Sequence, residues 1–217
     1  MPVALIFDMD GVIVNSNPVH REAWAIYNRR LGIETTEEMQ QRMYGKRNDQ
    51  IVRDYMGGHL TDAEVFEHGA AKERLFREMI GPRLDAFMVP GVPRFLARHR
   101  DLPLAVASNA ESENVMFVLN AAGLTPYFGA VVDGHQVSNP KPAPDVFLKA
   151  AELLGVPPRD CIVFEDSHSG VQAGVAAGMR VVGLRTTHHE LPGTSIAVDD
   201  FLAPELDEWM AAAIGRQ

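Results

Sequence analysis

The stretch that decides the fold is Val3-Ala4-Leu5-Ile6-Phe7-Asp8-Met9-Asp10-Gly11-Val12. An apolar run that ends in two acids and a glycine predicts a buried strand of a parallel sheet, with two carboxylates at its carboxyl end. Open α/β sheets bind ligands at that end. Side chains repeat every two residues in an extended chain, so Asp8 and Asp10 point to the same side, roughly 7 Å apart. A cation must lie beside two such carboxylates, or one of them must stay protonated. On these ten residues alone, a plain strand followed by a solvated Asp-Gly turn explains the pattern equally well.

The composition excludes several classes of protein. The chain has 217 residues, of which 46% are hydrophobic, and this is enough for a sizeable core and a smaller second lobe. Its net charge is −9 without a basic cluster, so we expect no binding to nucleic acid or to anionic membranes. No stretch approaches the ~20 apolar residues of a membrane span, and the single cysteine, Cys161, rules out an internal disulfide. We expect a cytoplasmic protein that is a monomer or a weak homo-oligomer.

One long segment near the amino terminus shows only helical patterns. After Asp10, Asn17 is a candidate cap and Pro18 a candidate first residue of a helix that runs to Leu31. Three further helices are predicted at 37–43, 48–56 and 61–79. This segment is too long for an ordinary crossover between strands, so we expect a separate lobe. We assign 16–87 to this inserted helical lobe, and 1–15 with 88–217 to the core.

The remainder alternates between strands and helices. Strands are predicted at 104–107, 130–132, 161–164 and 180–184. Helices are predicted at 91–100, 112–122, 145–154 and 170–177, with a closing helix at 203–217. Strands that alternate with single helices predict βαβ units, and therefore an α/β fold with a doubly wound parallel sheet.

Three later segments carry polar residues where the predicted site lies. Ser108 and Asn109 follow a buried strand and precede a helix, which suits either a phosphoryl oxygen or a plain helix cap. Lys141 lies in a loop between prolines that restrict its backbone, as expected of a fixed phosphate ligand. Glu165 and Asp166 end another strand and bring further acids to the same edge. Four acids and a phosphate need a metal there, and a ligand set made only of oxygens favours Mg²⁺.

The four motifs, in this order, resemble those of the haloacid dehalogenase superfamily of phosphoryl-transfer enzymes. They are Asp8-Met9-Asp10-Gly11-Val12, Ser108-Asn109, Lys141-Pro142 and Glu165-Asp166-Ser167. Within the superfamily the chain is similar to the branch of β-phosphoglucomutases and small-molecule phosphatases, and the resemblance covers nearly the whole chain. It implies a Rossmann-like core with the inserted lobe as a helical cap over the site.

The resemblance also implies roles for individual residues. Asp8 would be the nucleophile that forms an aspartyl phosphate, and Asp10 the general acid and base. Ser108, Asn109 and Lys141 would bind the phosphoryl group. Mg²⁺ would be held by Asp8, Asp166 and the main-chain carbonyl of Asp10, with Glu165 in support.

The cap residues match the family less well. His20 stands ten residues after Asp10, where phosphoglucomutases of this family carry a histidine coupled to the acid/base, although an ordinary half-buried histidine also fits this position. Asn48 replaces the family's phosphate-binding arginine, and Tyr44 replaces the lysine before the cap glycine. Lys46 or Arg47 would have to take over from them.

We therefore expect a Mg²⁺-dependent phosphatase that hydrolyses a small phosphorylated metabolite, for example a sugar phosphate. The first alternative is a phosphohexomutase, in which the phosphoryl group of Asp8 moves to a second hydroxyl of the substrate. The second is a signalling module that only accepts a phosphoryl group on an aspartate. The helical insert and the position of Asp10 both disfavour this signalling module.

Overall fold

The computed structural model describes residues 3–44 and 46–215. Within them the strands form one six-stranded sheet in the order β3-β2-β1-β4-β5-β6, and all neighbouring strands are parallel. The strands are β1 (Ala4–Phe7), β2 (Leu104–Ala107), β3 (Ala130–Val132), β4 (Cys161–Glu165), β5 (Arg180–Leu184) and β6 (Ile196–Val198). This strand order confirms the predicted doubly wound α/β fold.

Ten α-helices accompany the sheet in the part of the chain that the structure describes. The helices between β1 and β2 are α1 (Asn17–Arg30), α2 (Glu37–Arg42), α3 (Asn48–Met56), α4 (Asp62–Ile80), α5 (Leu84–Phe87) and α6 (Val92–Arg98). Those that follow β2 are α7 (Ser112–Ala121), α8 (Asp145–Leu154), α9 (His168–Ala176) and α10 (Pro204–Ile214). The predicted end of the closing helix, at residues 216 and 217, lies outside the described residues.

The sheet is buried on both faces, and β1 shows why. Its side chains alternate, so Leu5 and Phe7 join one apolar cluster while Ala4 and Ile6 join the other. Helices α6, α7 and α10 cover the first face, and α8 and α9 cover the second. Phe7 stacks on Phe164 of the neighbouring strand with ring centroids 4.6 Å apart. Each such buried side chain contributes about 1.5–3 kcal/mol, so the strand that precedes Asp8 is held firmly in the core.

The structure differs from the local predictions in several places, among them the short helix α5, which was not predicted. Strand β6 was not predicted, because it has three residues and two of them, Ile196 and Ala197, are only half-buried. Asn17 was predicted to cap α1, and this was wrong: the cap position is Ser16, and Asn17 is the first helical residue. The side chains of both residues are directed to carboxylates of the site instead, as described below.

The inserted helices have a small apolar cluster of their own. It is formed by Trp24, Met43, Ile51, Val52 and Val65. Helices α1 and α4 also contribute residues to the main core, so the insert is firmly seated on it. The lobe boundaries at 16 and 87 stay a prediction. None of the helices described is long and apolar enough to cross a membrane.

Candidate active site

The carboxyl ends of the three central strands form the floor of a cavity. Asp8 directly follows β1, and its amide donates a hydrogen bond to the carbonyl oxygen of Phe164 at 3.0 Å. Ser108 follows β2, and Glu165 and Asp166 lie at the end of β4. The cavity above them has a volume of about 70 Å³, and the insert helices line its other side. Ligand pockets usually exceed roughly 300 Å³, so this cavity is small in comparison.

Lys141 is a buried cation held at three points. Its ammonium nitrogen lies 3.0 Å from Asp8 Oδ1, 2.7 Å from Glu165 Oε1 and 3.1 Å from the carbonyl oxygen of Ala107. Burial alone would lower the pKa of Lys141, but the two carboxylates raise it above its usual range. Lys141 therefore stays charged and points at the nucleophile candidate.

Asp8 lies in an environment that resists its ionisation. Burial is the main cause that raises its pKa to about 7, the charges of Glu165 and Asp10 add to it, and Lys141 acts in the opposite direction. Although Lys141 lies close to Asp8 Oδ1, no donor within the described residues is aligned for a hydrogen bond to this oxygen. A second cation at Asp8 would satisfy the oxygen and lower the pKa.

Three buried carboxylates meet at this point. One oxygen from each of Asp8, Glu165 and Asp166 lies within 4.8 Å of the other two. Burial, followed by the charges of Glu165 and Asp8, raises the pKa of Asp166 well above its ordinary value. A hard divalent cation with oxygen ligands fits this set, since it would neutralise charges that the protein leaves under-compensated.

Asp166 is oriented by two residues far away in the sequence. Its Oδ2 accepts hydrogen bonds from the hydroxyl of Thr187 and from the Asn17 amide, the latter at 3.3 Å. Gly11 lies directly against it: a Cβ there would be 1.8 Å from Asp166 Oδ2, and the φ of Gly11 is +77°. Only glycine allows the chain to turn at this point beside a candidate metal ligand.

Glu165 has contacts that differ from those of a metal ligand. Its Oε1 accepts a hydrogen bond from Lys141 at 2.7 Å, and its Oε2 accepts from the amides of Asp166 and Ser167 and from the Ser167 hydroxyl. Both oxygens are thus engaged by protein donors. This geometry fits the expected supporting role, in which Glu165 fixes Lys141 and the turn that carries Asp166.

Asp10 is the exposed member of the acid pair. The Ser16 hydroxyl donates a hydrogen bond to its Oδ1, and His20 Nε2 lies 3.5 Å from the same oxygen. Its side chain is 22% exposed, so it can exchange protons with water at the cavity mouth. This position suits a group that donates and accepts a proton.

Ser108 and Asn109 form a turn beside Lys141. The Ser108 hydroxyl oxygen accepts a hydrogen bond from the amide of Ala110 at 3.1 Å, and Asn109 Oδ1 accepts one from the amide of Lys141 at 3.2 Å. The cap position of α7 is Glu111, so neither residue is a plain helix cap. Both line the cavity, as expected for phosphate-binding residues.

The four candidate cap residues are not equivalent. His20 lines the cavity, stacks on Phe76 and lies 3.1 Å from the ammonium of Lys72 through its Nδ1. Lys46 also lines the cavity, but its ammonium pairs with Asp54 at 2.6 Å.

Asn48 likewise lines the cavity, where its amide nitrogen donates to Glu73 and Glu111. Arg47 lines a neighbouring cleft instead and pairs with Asp49 at 3.5 Å. The cap glycine, Gly45, lies outside the described residues.

Sequence reasoning missed several residues that line or support the site. Thr187 carries no local signal, since its role depends on contacts with Asp166 and Asn17, which are distant in the sequence. Lys72 could have been found, because it interrupts the apolar stripe of α4. Every third or fourth residue of α4 lies on this stripe and is buried: Val65, Gly69, Lys72, Phe76 and Ile80. A lysine on a buried stripe needs a partner, and that partner is the neighbouring Glu73.

Comparisons with known proteins agree with this geometry. The chain is 36% identical to the fructose-1-phosphate phosphatase YqaB of Escherichia coli over 183 residues, which cover 83% of this chain and 95% of that protein. It is 31% identical to the β-phosphoglucomutase of Bacillus subtilis over 186 residues, which cover 83% and 82% of the two chains. The crystal structure of β-phosphoglucomutase from Clostridium difficile matches it with a TM-score of 0.87 at 26% identity, over the full length of both chains. Residues 3–178 match the family of haloacid dehalogenase-like hydrolases. With this match and these relatives, the chain belongs to the haloacid dehalogenase-like hydrolase family.

Proposed function

We propose that this protein is a Mg²⁺-dependent phosphatase that hydrolyses a small phosphorylated metabolite through an aspartyl phosphate. The observation that carries the proposal is the placement of Asp8 and Asp10 on one cavity, with the Lys141 ammonium 3.0 Å from Asp8. The carboxylate of Asp8 contacts the ammonium of Lys141, whereas the carboxylate of Asp10 is accessible to water. This asymmetry assigns different roles to the two acids. The proposal includes a cytoplasmic location and a monomeric or weakly oligomeric state.

In the first half of the reaction, a carboxylate oxygen of Asp8 forms a bond to phosphorus while the ester P–O bond breaks. Asp10 donates its proton to the departing oxygen, so the product leaves as an alcohol. Lys141 stabilises the negative charge on the phosphoryl oxygens, and Ser108 and Asn109 lie beside it. Ser16 and His20 hold Asp10 at the cavity mouth during this transfer.

In the second half, Asp10 takes a proton from a water molecule whose oxygen attacks the phosphorus of the aspartyl phosphate. The bond between phosphorus and Asp8 breaks, which releases inorganic phosphate and restores the carboxylate. Mg²⁺, held by Asp8 and Asp166 with the carbonyl oxygen of Asp10, would supply charge neutralisation for the acids and the phosphoryl group. Glu165, Thr187 and Asn17 orient Asp166, which would hold it.

A phosphohexomutase is the second candidate, and the contact between His20 and Asp10 favours it. A mutase must protect the aspartyl phosphate from water until a second hydroxyl of the sugar attacks it. It must also hold the second phosphate of its bisphosphate intermediate with a fixed cation. Asn48 donates to two carboxylates instead, so we rank the phosphatase first.

The deciding experiment measures phosphate release and isomer formation side by side. We expect inorganic phosphate from several sugar phosphates in the presence of Mg²⁺, no release after chelation, and inhibition by Ca²⁺, which prefers more ligands than Mg²⁺. Full turnover after exhaustive chelation would overturn the metal assignment. Glucose 6-phosphate formed from β-glucose 1-phosphate much faster than phosphate is released would instead identify a mutase. In that case, His20→Ala and Arg47→Ala should both slow the isomerisation.

A further inference from the structure

The insert side of the cavity carries an acidic hydrogen-bond network. We call Asn48, Glu73, Asn114 and Glu111 the distal wall. Asn48 donates from its amide nitrogen to Glu73 Oε1 at 2.7 Å and to Glu111 Oε1 at 2.6 Å. Asn114 donates from its amide nitrogen to the other oxygen of Glu73. Asn48, Glu73 and Asn114 line the active-site cavity itself, and Glu111 lines the adjoining cleft, into which Asn48 also faces.

Glu73 remains a carboxylate throughout the physiological range. Its residue is only 3% exposed, and burial alone would raise its pKa. Lys72 and His20, together with hydrogen bonds from Lys72 and Asn114, lower the pKa of Glu73 to about 2. Glu111 is half-buried and adds a second carboxylate on the far side of Asn48. The side-chain amide of Asn48 therefore donates its hydrogen bonds to two carboxylates of the protein itself, those of Glu73 and Glu111.

The lysine side chains around the cavity are ion-paired with carboxylates of the protein. Among the described lining residues, Lys141 pairs with Asp8 and Glu165, Lys72 pairs with Glu73, and Lys46 pairs with Asp54. An incoming phosphoryl group finds Lys141 at the floor. An anion at the distal wall would meet two carboxylates and would have to break an ion pair to gain a counter-charge. Like charges brought together in this way disfavour binding.

We propose that the distal wall makes this site selective for phosphate monoesters whose remaining part is uncharged and rich in hydroxyl groups, and that it rejects a second phosphate. This inference rests on the proposed function, because it concerns the substrate of the same reaction. Hydroxyl groups can donate to the carboxylate and carbonyl oxygens of the wall, whereas a phosphate dianion offers only acceptors. Asn48, Glu73 and Glu111 are therefore specificity residues and take no part in the bond-breaking steps.

The test uses D-mannitol 1-phosphate and D-mannitol 1,6-bisphosphate as competitors of p-nitrophenyl phosphate hydrolysis. Mannitol has twofold symmetry, so the two phosphates of the bisphosphate are equivalent, and the two probes differ only in the group that reaches the distal wall. We expect the bisphosphate to compete at least about tenfold more weakly than the monophosphate in the wild-type enzyme with Mg²⁺. Equal or tighter competition by the bisphosphate, or no competition by either probe, would overturn the proposal.

Charge-neutral variants show whether the wall itself is responsible. Glu111→Gln keeps a side-chain oxygen for the Asn48 amide but removes one charge, and it should reduce the discrimination several-fold. Glu73→Gln should also reduce the discrimination, provided that this buried substitution allows the protein to fold. Glu111→Gln tests the wall even if Glu73→Gln does not fold, because Glu111 is only half-buried. The matched control is Glu78→Gln, at an exposed position on α4, the helix that carries Glu73, and it should leave the discrimination unchanged.

A discrimination that neither Glu111→Gln nor Glu73→Gln changes would exclude the distal wall as its source. Failure of the proposed function gives a different result: no phosphate would be released from any ester, including p-nitrophenyl phosphate. Turnover of the ester with equal competition by both mannitol phosphates would disprove only the selectivity of the wall.

Discussion

Replacement of Lys141 by alanine tests the electrostatic centre of the site most directly. The wild-type ammonium is buried, and two of its three partners are carboxylates that lie within 3.0 Å. Its removal leaves Asp8 and Glu165 buried without a counter-charge. Loss of one partner from such a buried ion pair costs about 3–5 kcal/mol of stability. Because Lys141 lowers the pKa of Asp8, the variant also raises that pKa further and leaves less of the nucleophile ionised.

Lys141→Ala should reduce kcat/KM far more than replacement of a surface lysine would. A fixed donor to the charge that develops in the transition state contributes on the order of 10²-fold or more to the rate. We therefore expect Lys141→Ala to lower kcat/KM at least ~10²-fold. Phosphate release measured across a pH series gives the rate, and urea unfolding of the same preparation gives the free energy of unfolding.

Lys149→Ala is the matched control. Lys149 pairs with Glu152 at 2.9 Å on the surface of α8, with its side chain 39% exposed. Exposed pairs of this kind contribute about 0.3–0.5 kcal/mol, so this variant should resemble the wild type. If Lys141→Ala also stays within about twofold of the wild type in rate, the assignment of Lys141 as the counter-charge of the phosphoryl group is refuted.

Three further predictions address the acids and the metal. Asp8→Asn should reduce phosphate release below about 1% of the wild-type rate, because a neutral amide is no nucleophile toward phosphorus; higher activity in a metal-loaded assay would remove Asp8 from that role. Asp10→Asn should leave substrate affinity nearly unchanged but slow turnover of alkyl phosphates, whose leaving group needs a proton, and an unchanged kcat would exclude Asp10 as the acid. The third concerns stability: the pKa of Asp8 is raised from 3.8 to about 7, so its contribution is complete below the unfolded-state pKa and is lost as the pH rises through about 7. Worth at most ~4 kcal/mol, this loss should lower the Tm of the metal-free protein between about pH 5.5 and pH 8, and Mg²⁺ should raise the Tm more at the higher pH; a Mg²⁺ effect that does not depend on pH would contradict the metal site at Asp8.

The sequence by itself determined the sheet and the floor of the site. Fully buried parallel strands are continuous apolar runs, and their carboxyl ends must meet at one edge. The positions of Asp8, Ser108, Lys141 and Asp166 could therefore be predicted from the polar residues at the ends of these runs and from the loop between prolines. The long helical segment after β1 was equally visible, because its length excluded an ordinary crossover.

Only the tertiary structure decided what each polar side chain contacts. Asparagine is a common helix-capping residue, but the side-chain amide of Asn17 donates a hydrogen bond to Asp166 instead, 149 residues away along the chain. Glu165 was expected to support the metal site, but only the structure shows that its oxygens accept hydrogen bonds from Lys141 and from the following turn.

The distal wall was just as inaccessible from the sequence, because Asn48 and Glu111 are 63 residues apart. Secondary-structure patterns report which face of an element is buried. They do not report which donor and acceptor meet across the cavity, since that depends on how the insert helices are seated on the sheet. The selectivity for one phosphate over two that we propose depends on those contacts between the insert and the core.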